Sequence, residues 1–568
     1  MKGKEESMND YLGLVLRAFD SRARVLLRVG EGKRALKDAE RLFMLAKKHD
    51  EKEWQVRASL LQVEILTFLG KYPEALRKAR MAKNRCKIMK DTWGIAESLT
   101  WLGAIYFRQG KYKKALPNFK EALRIYRRKK KKDKIAFVLD HMGIYYENAG
   151  EYKKAFGCHE EALEIWKELG DRENILKSYV NLASLYLSTG DYSKAEEYFR
   201  KALRLSSQTG NMEARMAALN NLGMVMEHTG RFEKAMQYYS LVAELGRKTG
   251  NRRIEAIANM NTGVIFFHLT RYEKAIEFLE KATSLMEELG IEDHLANCFT
   301  NLGAVFYVKG DLKNAFDYFN RAIRIFEKIN NPAYLSSCLN NISFIYMVWG
   351  ELEKALSFQR RALEIRKRIG NPAGIVYCLN GMGNILVEGE RYEEAETYIK
   401  NALEMAKKAN LKPNLPKIYF QLIRVLIHRK KITDAEVYLE KLKKLANEMN
   451  SLVDRALSLY LEGVLNLHKN EHEKAEEAFI SSIEMLRKLN NRFYLGQALY
   501  EYGKMLIKKE KRKRARKILE ESMKIFEELD SRLWISRTRN IMKDGGLLEK
   551  PKNRGYSEEK DEKSKEHV

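Results

Sequence analysis

Read at steps of 40 residues, one column of this sequence runs Trp101, His141, Asn181, Asn221, Asn261, Asn301, Asn341, Gly381. The five consecutive asparagines are the residues here best equipped for chemistry, and Asn220, Asn340 and Asn380 thicken the column. A primary amide carries both donor and acceptor, so it matches the N–H and C=O of one peptide unit. That is recognition chemistry, not bond making. The same amides also suit hydrogen bonds to one another or to neighbouring backbone, which would only tie repeated elements together. Both readings stay open on the sequence. Asn costs a helix up to about 0.7 kcal/mol against Ala, so propensity gives no reason to repeat it.

Signatures of catalysis are missing. There is no Gly-x-x-x-x-Gly-Lys-[Ser/Thr] phosphate loop, no Gly-x-Ser-x-Gly elbow and no His-Glu-x-x-His helix. His228, His268, His428 and His468 share a second column, but Val308 follows His268, so no third metal ligand is in place. No enzymatic activity, metal or other cofactor is expected. Cys298, Cys338 and Cys378 occupy equivalent positions where Ser98, Ser178, Ala218 and Ala258 stand elsewhere. That is a slot for a small buried side chain. Equivalent points on stacked helices lie about 8–10 Å apart, too far for disulfides.

The elements that must position these columns follow from a strict period. An alanine stands at Ala35 and at every fortieth position to Ala515, four times in succession as Gly-x-Tyr-x-x-Ala: Gly70 to Ala75, Gly110 to Ala115, Gly150 to Ala155, Gly190 to Ala195. Self-similarity at this period means stacked supersecondary units. Half a period away lie Gly170, Gly210, Gly250, Gly290, Asn330, Gly370 and Asn410, residues that tolerate the left-handed backbone closing a helix. Between the marks apolar residues recur at three- and four-residue steps, as in Ala195, Tyr198, Phe199, Ala202, Leu203. Each unit therefore reads as helix A, a tight turn, helix B and another turn. Thirteen units fill 11–530, after an N-terminal extension at 1–10. A terminal helix at 531–544 is expected to cap the last unit, followed by a solvated, disordered charged tail at 545–568. Pro413 and Pro416 mark the expected bend between units ten and eleven.

In the third unit, helix A carries Leu102, Gly103 and Tyr106, and helix B carries Ala115, Phe119 and Ala122. This pattern resembles the tetratricopeptide repeat (TPR). Its 40-residue length is similar to the long repeats of kinesin light chains and Rap-type regulators. The family's terminal proline is missing, and Val63 and Ile423 replace the small residue of helix A. The resemblance implies an all-α, right-handed superhelical solenoid that binds proteins or peptides. It also implies that helix A lines a concave groove and that the asparagine column points into it. Gly103 and its counterparts are expected to face the alanines of helix B, where bulk would cost about 1–3 kcal/mol. An extended chain advances about 3.3–3.6 Å per residue, so one asparagine would serve about three ligand residues. Met260, Phe267, Tyr307 and Phe344 would offer apolar pockets beside it. The adjacent positions hold no Lys or Arg, so a carboxylate clamp of the family type is not expected.

The net charge is +27, from 104 Lys and Arg against 77 Asp and Glu. It divides as +17 over 1–150, −1 over 151–400 and +11 over 401–568. The asparagine column is thus neutral and the flanks are basic, above all Arg127 to Lys134 and Lys508 to Lys517. A solvated, dipole-matched surface accounts for these runs; phosphate binding is the rival, though few aromatics interleave with them. No stretch of 18 residues is apolar throughout, so no membrane span is expected. The first ten residues lack an apolar secretory core, which points to the cytoplasm. Eight glutamines among so many charges suggest a thermophilic source. The reading favoured by these residues is a scaffold holding an extended peptide or disordered partner segment. An RNA- or anion-binding scaffold, or a sensor subunit, is the alternative.

Overall fold

The computed structural model describes residues 2–548 apart from 29, 30 and 110. Among these are 27 helices and no strand. None of the helices is long and apolar enough to cross a membrane. Most helices have 17 residues and three-residue joints separate them, so the structural repeat is 20, half the sequence period. The first helix, Lys2–Arg28, runs through the ten residues expected as an extension. Of the expected tail, residues from 549 onward lie outside those described.

The joints explain the punctuation. The residue at every twentieth position from 50 to 530, with 110 outside the described set, has positive φ. At Gly70 (φ 73°) the next amide, Lys71 N–H, donates back to Leu66 O at 2.9 Å, and Gly70 N–H donates to Thr67 O. This double bond satisfies carbonyls left over at the helix end. Both turn series use it, so the Gly70 series ends helices just as the Gly170 series does. Non-glycine residues accept the geometry too, among them Lys90, Thr270 (φ 58°) and Glu390. After the joint, Asp91, Asp171, Asn211 or Asn371 caps the next helix by accepting a backbone N–H of its first turn.

Within a hairpin the small residue of helix A chiefly meets an aromatic or branched side chain, and at Gly263, Ser343 and Gly383 also the carbonyl of the expected helix-B alanine. A Cβ on Gly103 would lie 2.7 Å from the Phe119 ring, and one on Gly223 would lie 2.4 Å from Tyr239. Ala115 and Ala122 flank Phe119 on helix B and are fully buried. The large side chain between the two alanines fills the hollow over the glycine, which is why both kinds of residue recur. The cysteine slot is equally tight. Cys298, Cys338 and Cys378 are buried free thiols. Burial pushes Cys298 up to about 12 and Cys338 and Cys378 up to about 11.

The chain divides into two compact bodies, residues 1–254 and 255–568. In the first, Asp20 accepts hydrogen bonds from Arg57 (2.7 Å) and Arg24 (3.2 Å), joining the opening hairpin to the second unit. In the second, Pro413 and Pro416 cost helix A of unit eleven its first turn. A 3-10 turn (Lys412–Asn414) precedes a 14-residue helix (Leu415–His428). The terminal helix, Arg532–Asp544, stacks Trp534 on Phe526 (5.2 Å) and sets it edge-on to Phe493 and Tyr500.

That same end of the second body returns to its beginning. Asn490 donates to Val308 O (3.1 Å), Ser531 to Val348 O and Arg537 to Glu388 O (3.0 Å). The three acceptors end helix A of units eight (Glu292–Lys309), nine (Pro332–Trp349) and ten (Pro372–Glu388) in turn. Gly310 and Gly350, at the next joints, let this seam close. A Cβ at either would lie 3.0 Å from Arg492 Nη1 or Leu533 Cβ.

Candidate functional site

The asparagine column is best described body by body. In the first, Asn181 and Asn221 sit on helix A of units five (Arg172–Ser188) and six (Met212–His228). Both are half-buried, and neither side chain has a hydrogen-bond partner among the described residues. Asn220 is half-buried, with its amide nitrogen 3.9 Å from Met224 Sδ. In the second body Asn261, Asn301 and Asn341 are likewise half-buried, and Asn301 and Asn341 have no hydrogen-bond partner among the described residues. Asn340 is only 2 % exposed; its Oδ1 takes the Cys378 thiol at 3.6 Å. Asn380 keeps a buried Oδ1 without a partner. Met260 packs against the buried cluster of Ala256, Ala282, Met286 and Cys298, while Phe267 lies beside Tyr272.

Tyr307, Phe344, Asn341 and Asn380 come together in one cavity of about 520 Å³. Helix A of units eight to ten forms one side. Phe420 and Gln421 of unit eleven and Leu457 of unit twelve continue the wall, and Phe493 and Tyr494 of unit thirteen complete it. The lining is aromatic with a few amides, the usual composition of a small-ligand or side-chain pocket. Burial pushes the Tyr307 hydroxyl well above its ordinary range and Tyr494 up to about 12, so both stay neutral donors.

Beside the cavity lies a charged cluster that the sequence reading missed. Glu388 is 1 % exposed; its Oε1 accepts from Arg424 (2.8 Å) and Gln497 (3.1 Å), and its Oε2 from Trp534 Nε1 (3.0 Å). Arg424 also donates to Asn384 and Gln421, each at 3.1 Å. Burial disfavours its charge, but Glu388 outweighs this and holds the guanidinium above its ordinary value. The cluster bolts the terminal helices to unit ten. A signal for it was present in the histidine column, which reads His228, His268, Val308, Val348, Glu388, His428, His468. The three interruptions are the three residues whose carbonyls receive the returning end.

Part of each basic run is paired within the chain. Arg127 pairs with Glu161 (2.6 Å), Lys132 with Glu168 (2.6 Å) and Lys134 with Glu97 (2.8 Å). Lys509, Lys511 and Arg514 gather around Glu476. His228 and His428 stack on Tyr192 and Tyr392, and among the described residues no three potential metal ligands cluster.

Comparison with known proteins agrees with this architecture. A family model described as a MalT-like TPR region matches residues 271–521, and one for the tetratricopeptide repeat matches 94–157, 134–208 and 214–288. No curated protein matches the sequence. Similar solved structures include the apo form of RapI (17 % identity, 49 % of this chain and 99 % of that one, TM-score 0.41). Aspartyl phosphate phosphatase F from Bacillus subtilis is similar at 17 % identity over 62 % of this chain and 93 % of that one, TM-score 0.44. The quorum sensor NprR from B. thuringiensis, in its apo form, is similar at 16 % identity, 61 % and 97 % coverage, TM-score 0.44.

Proposed function

Because this chain is a tetratricopeptide-repeat protein resembling Rap-type regulators, we propose that it is a non-enzymatic interaction scaffold whose helix-A wall holds an extended peptide or disordered partner segment. One observation carries the reading: Asn181, Asn221, Asn301 and Asn341 share a register, are half-buried and have no hydrogen-bond partner among the described residues. A partly desolvated amide without a partner is a poor structural tie but a ready contact for a passing peptide unit. In the second body the aromatic cavity beside Asn341 would receive apolar side chains of the same ligand. The column lies in the neutral stretch 151–400, away from the basic runs, which favours a peptide over a phosphate-bearing ligand there.

The test begins with a peptide selected from a random display library on the intact chain. Its affinity is then measured by fluorescence anisotropy for Asn181→Ala/Asn221→Ala and for Asn301→Ala/Asn341→Ala. Each lost hydrogen bond is worth about 0.5–1.5 kcal/mol, so the variant touching the ligand should bind roughly five- to a hundredfold more weakly. Unchanged affinity in both folded variants would refute the column as a binding element.

A further inference from the structure

Helix B of unit nine (Leu352–Ile369) carries an arginine where its counterparts carry core residues. The column reads Trp166, Ser206, Gly246, Met286, Phe326, Arg366, Ala406, and no other of its thirteen members is charged. Arg366 is nonetheless only 8 % exposed. It donates to Gly374 O (3.0 Å), Ser336 Oγ (3.2 Å) and Ser337 Oγ (3.5 Å), all neutral. No carboxylate pairs with it among the described residues. The site is shaped to admit the side chain, since a Cβ on Gly374 would lie 2.5 Å from Arg366 Cδ. A guanidinium stays charged under all ordinary conditions, so burying one without a counter-ion is costly.

A pocket of about 450 Å³ opens over this cation, and no acidic residue lines it. Asn340, also on its wall, has an Nδ2 that is buried and without a hydrogen-bond partner. Lys417 Nζ lies 5.6 Å from the Tyr377 ring, which Arg366 also approaches, at 5.7 Å. The unmet groups are therefore donors and positive charge. The geometry points to a carboxylate site: the pocket binds a carboxylate of the scaffold's peptide ligand, with Arg366 as counter-ion and Asn340 as a second donor. Asn341 and Tyr377 line both this pocket and the aromatic cavity, so one ligand reaches both. The guanidinium comes from helix B, whereas the sequence reading looked for a cation only beside the asparagines of helix A.

That the carboxylate belongs to a peptide rests on the function proposed above; that the pocket takes a carboxylate does not. The experiment follows the thermal midpoint of the intact chain at constant ionic strength with small probes that have no extended backbone. N-acetylphenylalanine places the charge on the main chain and N-acetylglutamic acid α-amide places it on a side chain. N-acetylphenylalaninamide is the uncharged control, and inorganic phosphate tests the other anion. Saturable stabilisation by either carboxylate but not by the amide is expected, the tighter of the two identifying the source. Arg366→Met should weaken it at least about tenfold. Without probe, the Met variant should melt no lower than the parent, because an uncompensated buried charge has gone. Asn340→Leu, which keeps Arg366, should weaken binding about threefold or more and carries the test should the Met variant not fold. A parent midpoint indifferent to carboxylates, with a lower midpoint for the Met variant, would make Arg366 a structural tie and overturn the proposal. Tighter binding of phosphate than of either carboxylate would overturn it as well. Failure of the asparagine variants with an extended peptide would leave these outcomes unaffected.

Discussion

Replacing Glu388 by Gln is a direct test of the seam that closes the second body. The carboxylate accepts from Arg424, Gln497 and Trp534 while 1 % exposed, so a neutral amide in its place keeps one acceptor and sets an N–H against donors. Loss of a charge-assisted bond costs about 1.5–3 kcal/mol, and leaving Arg424 buried without its partner adds to it. Breaking buried pairs from one side typically costs about 3–5 kcal/mol. We take about 3 kcal/mol for the isosteric change, which is a little over a hundredfold at 1.4 kcal/mol per decade. That free energy belongs to one event, detachment of residues 490–544 from units eight to ten. Hydrogen exchange read by mass spectrometry should show amides of helices Arg492–Lys508 and Arg532–Asp544 exchanging about a hundredfold faster in Glu388→Gln. Peptides from residues 12–250 should be unchanged. Adding Arg424→Met to Glu388→Met should restore most of the protection, since an apolar pair replaces the ionic one without an orphan charge. Equal protection of the terminal helices in Glu388→Gln and the parent would show that this cluster does not hold the seam.

Two further outcomes follow from local geometry. Thr270 is a β-branched residue at φ 58°, so Thr270→Gly should raise the stability of the second body by about 0.5–1 kcal/mol, read as a higher denaturant midpoint; a lower midpoint would mean that its hydroxyl bond to Leu269 O outweighs backbone strain. Burial opposes ionisation of Asp20, but the hydrogen bonds of Arg57 and Arg24 prevail and hold its carboxyl below the ordinary 3.8. Its stabilising contribution is therefore present above that value and is lost as pH falls through the folded one. Asp20→Asn should flatten the acid-side decline of the first body as pH falls below the ordinary carboxylate value, and parallel pH profiles for the two proteins would rule out the pair as its source.

How much of this was legible depended on whether the signal repeated. Ala35 to Ala515 fixed the register of every hairpin, and the turn glycines marked the joints. The left-handed backbone at Lys90, Thr270 and Glu390 went unread, because only glycine, asparagine and aspartate were taken as marks. Gly103 was matched to Ala115 and Ala122 because small residues were sought beside small ones; the structure sets Phe119 over it. The column of amides was found by period alone, whereas Arg366 and Glu388 each occur once. A period-based reading averages over such exceptions, yet both stand where a column breaks its own rule: a charge among core residues, and a glutamate among histidines and valines. The return of residues 490–537 joins partners 109 to 183 positions apart. Nothing in nearest-neighbour packing announces that.

Stacked repeats fold and unfold as a row of dominoes, each answering only to the next. The bonds from Asn490, Ser531 and Arg537 to the ends of three earlier helices turn part of that row into a hoop. On a ribosome the near wall of the aromatic chamber is made well before its far wall, which Phe493 and Tyr494 supply. A chain clipped between the two walls would carry the amides without the chamber they border.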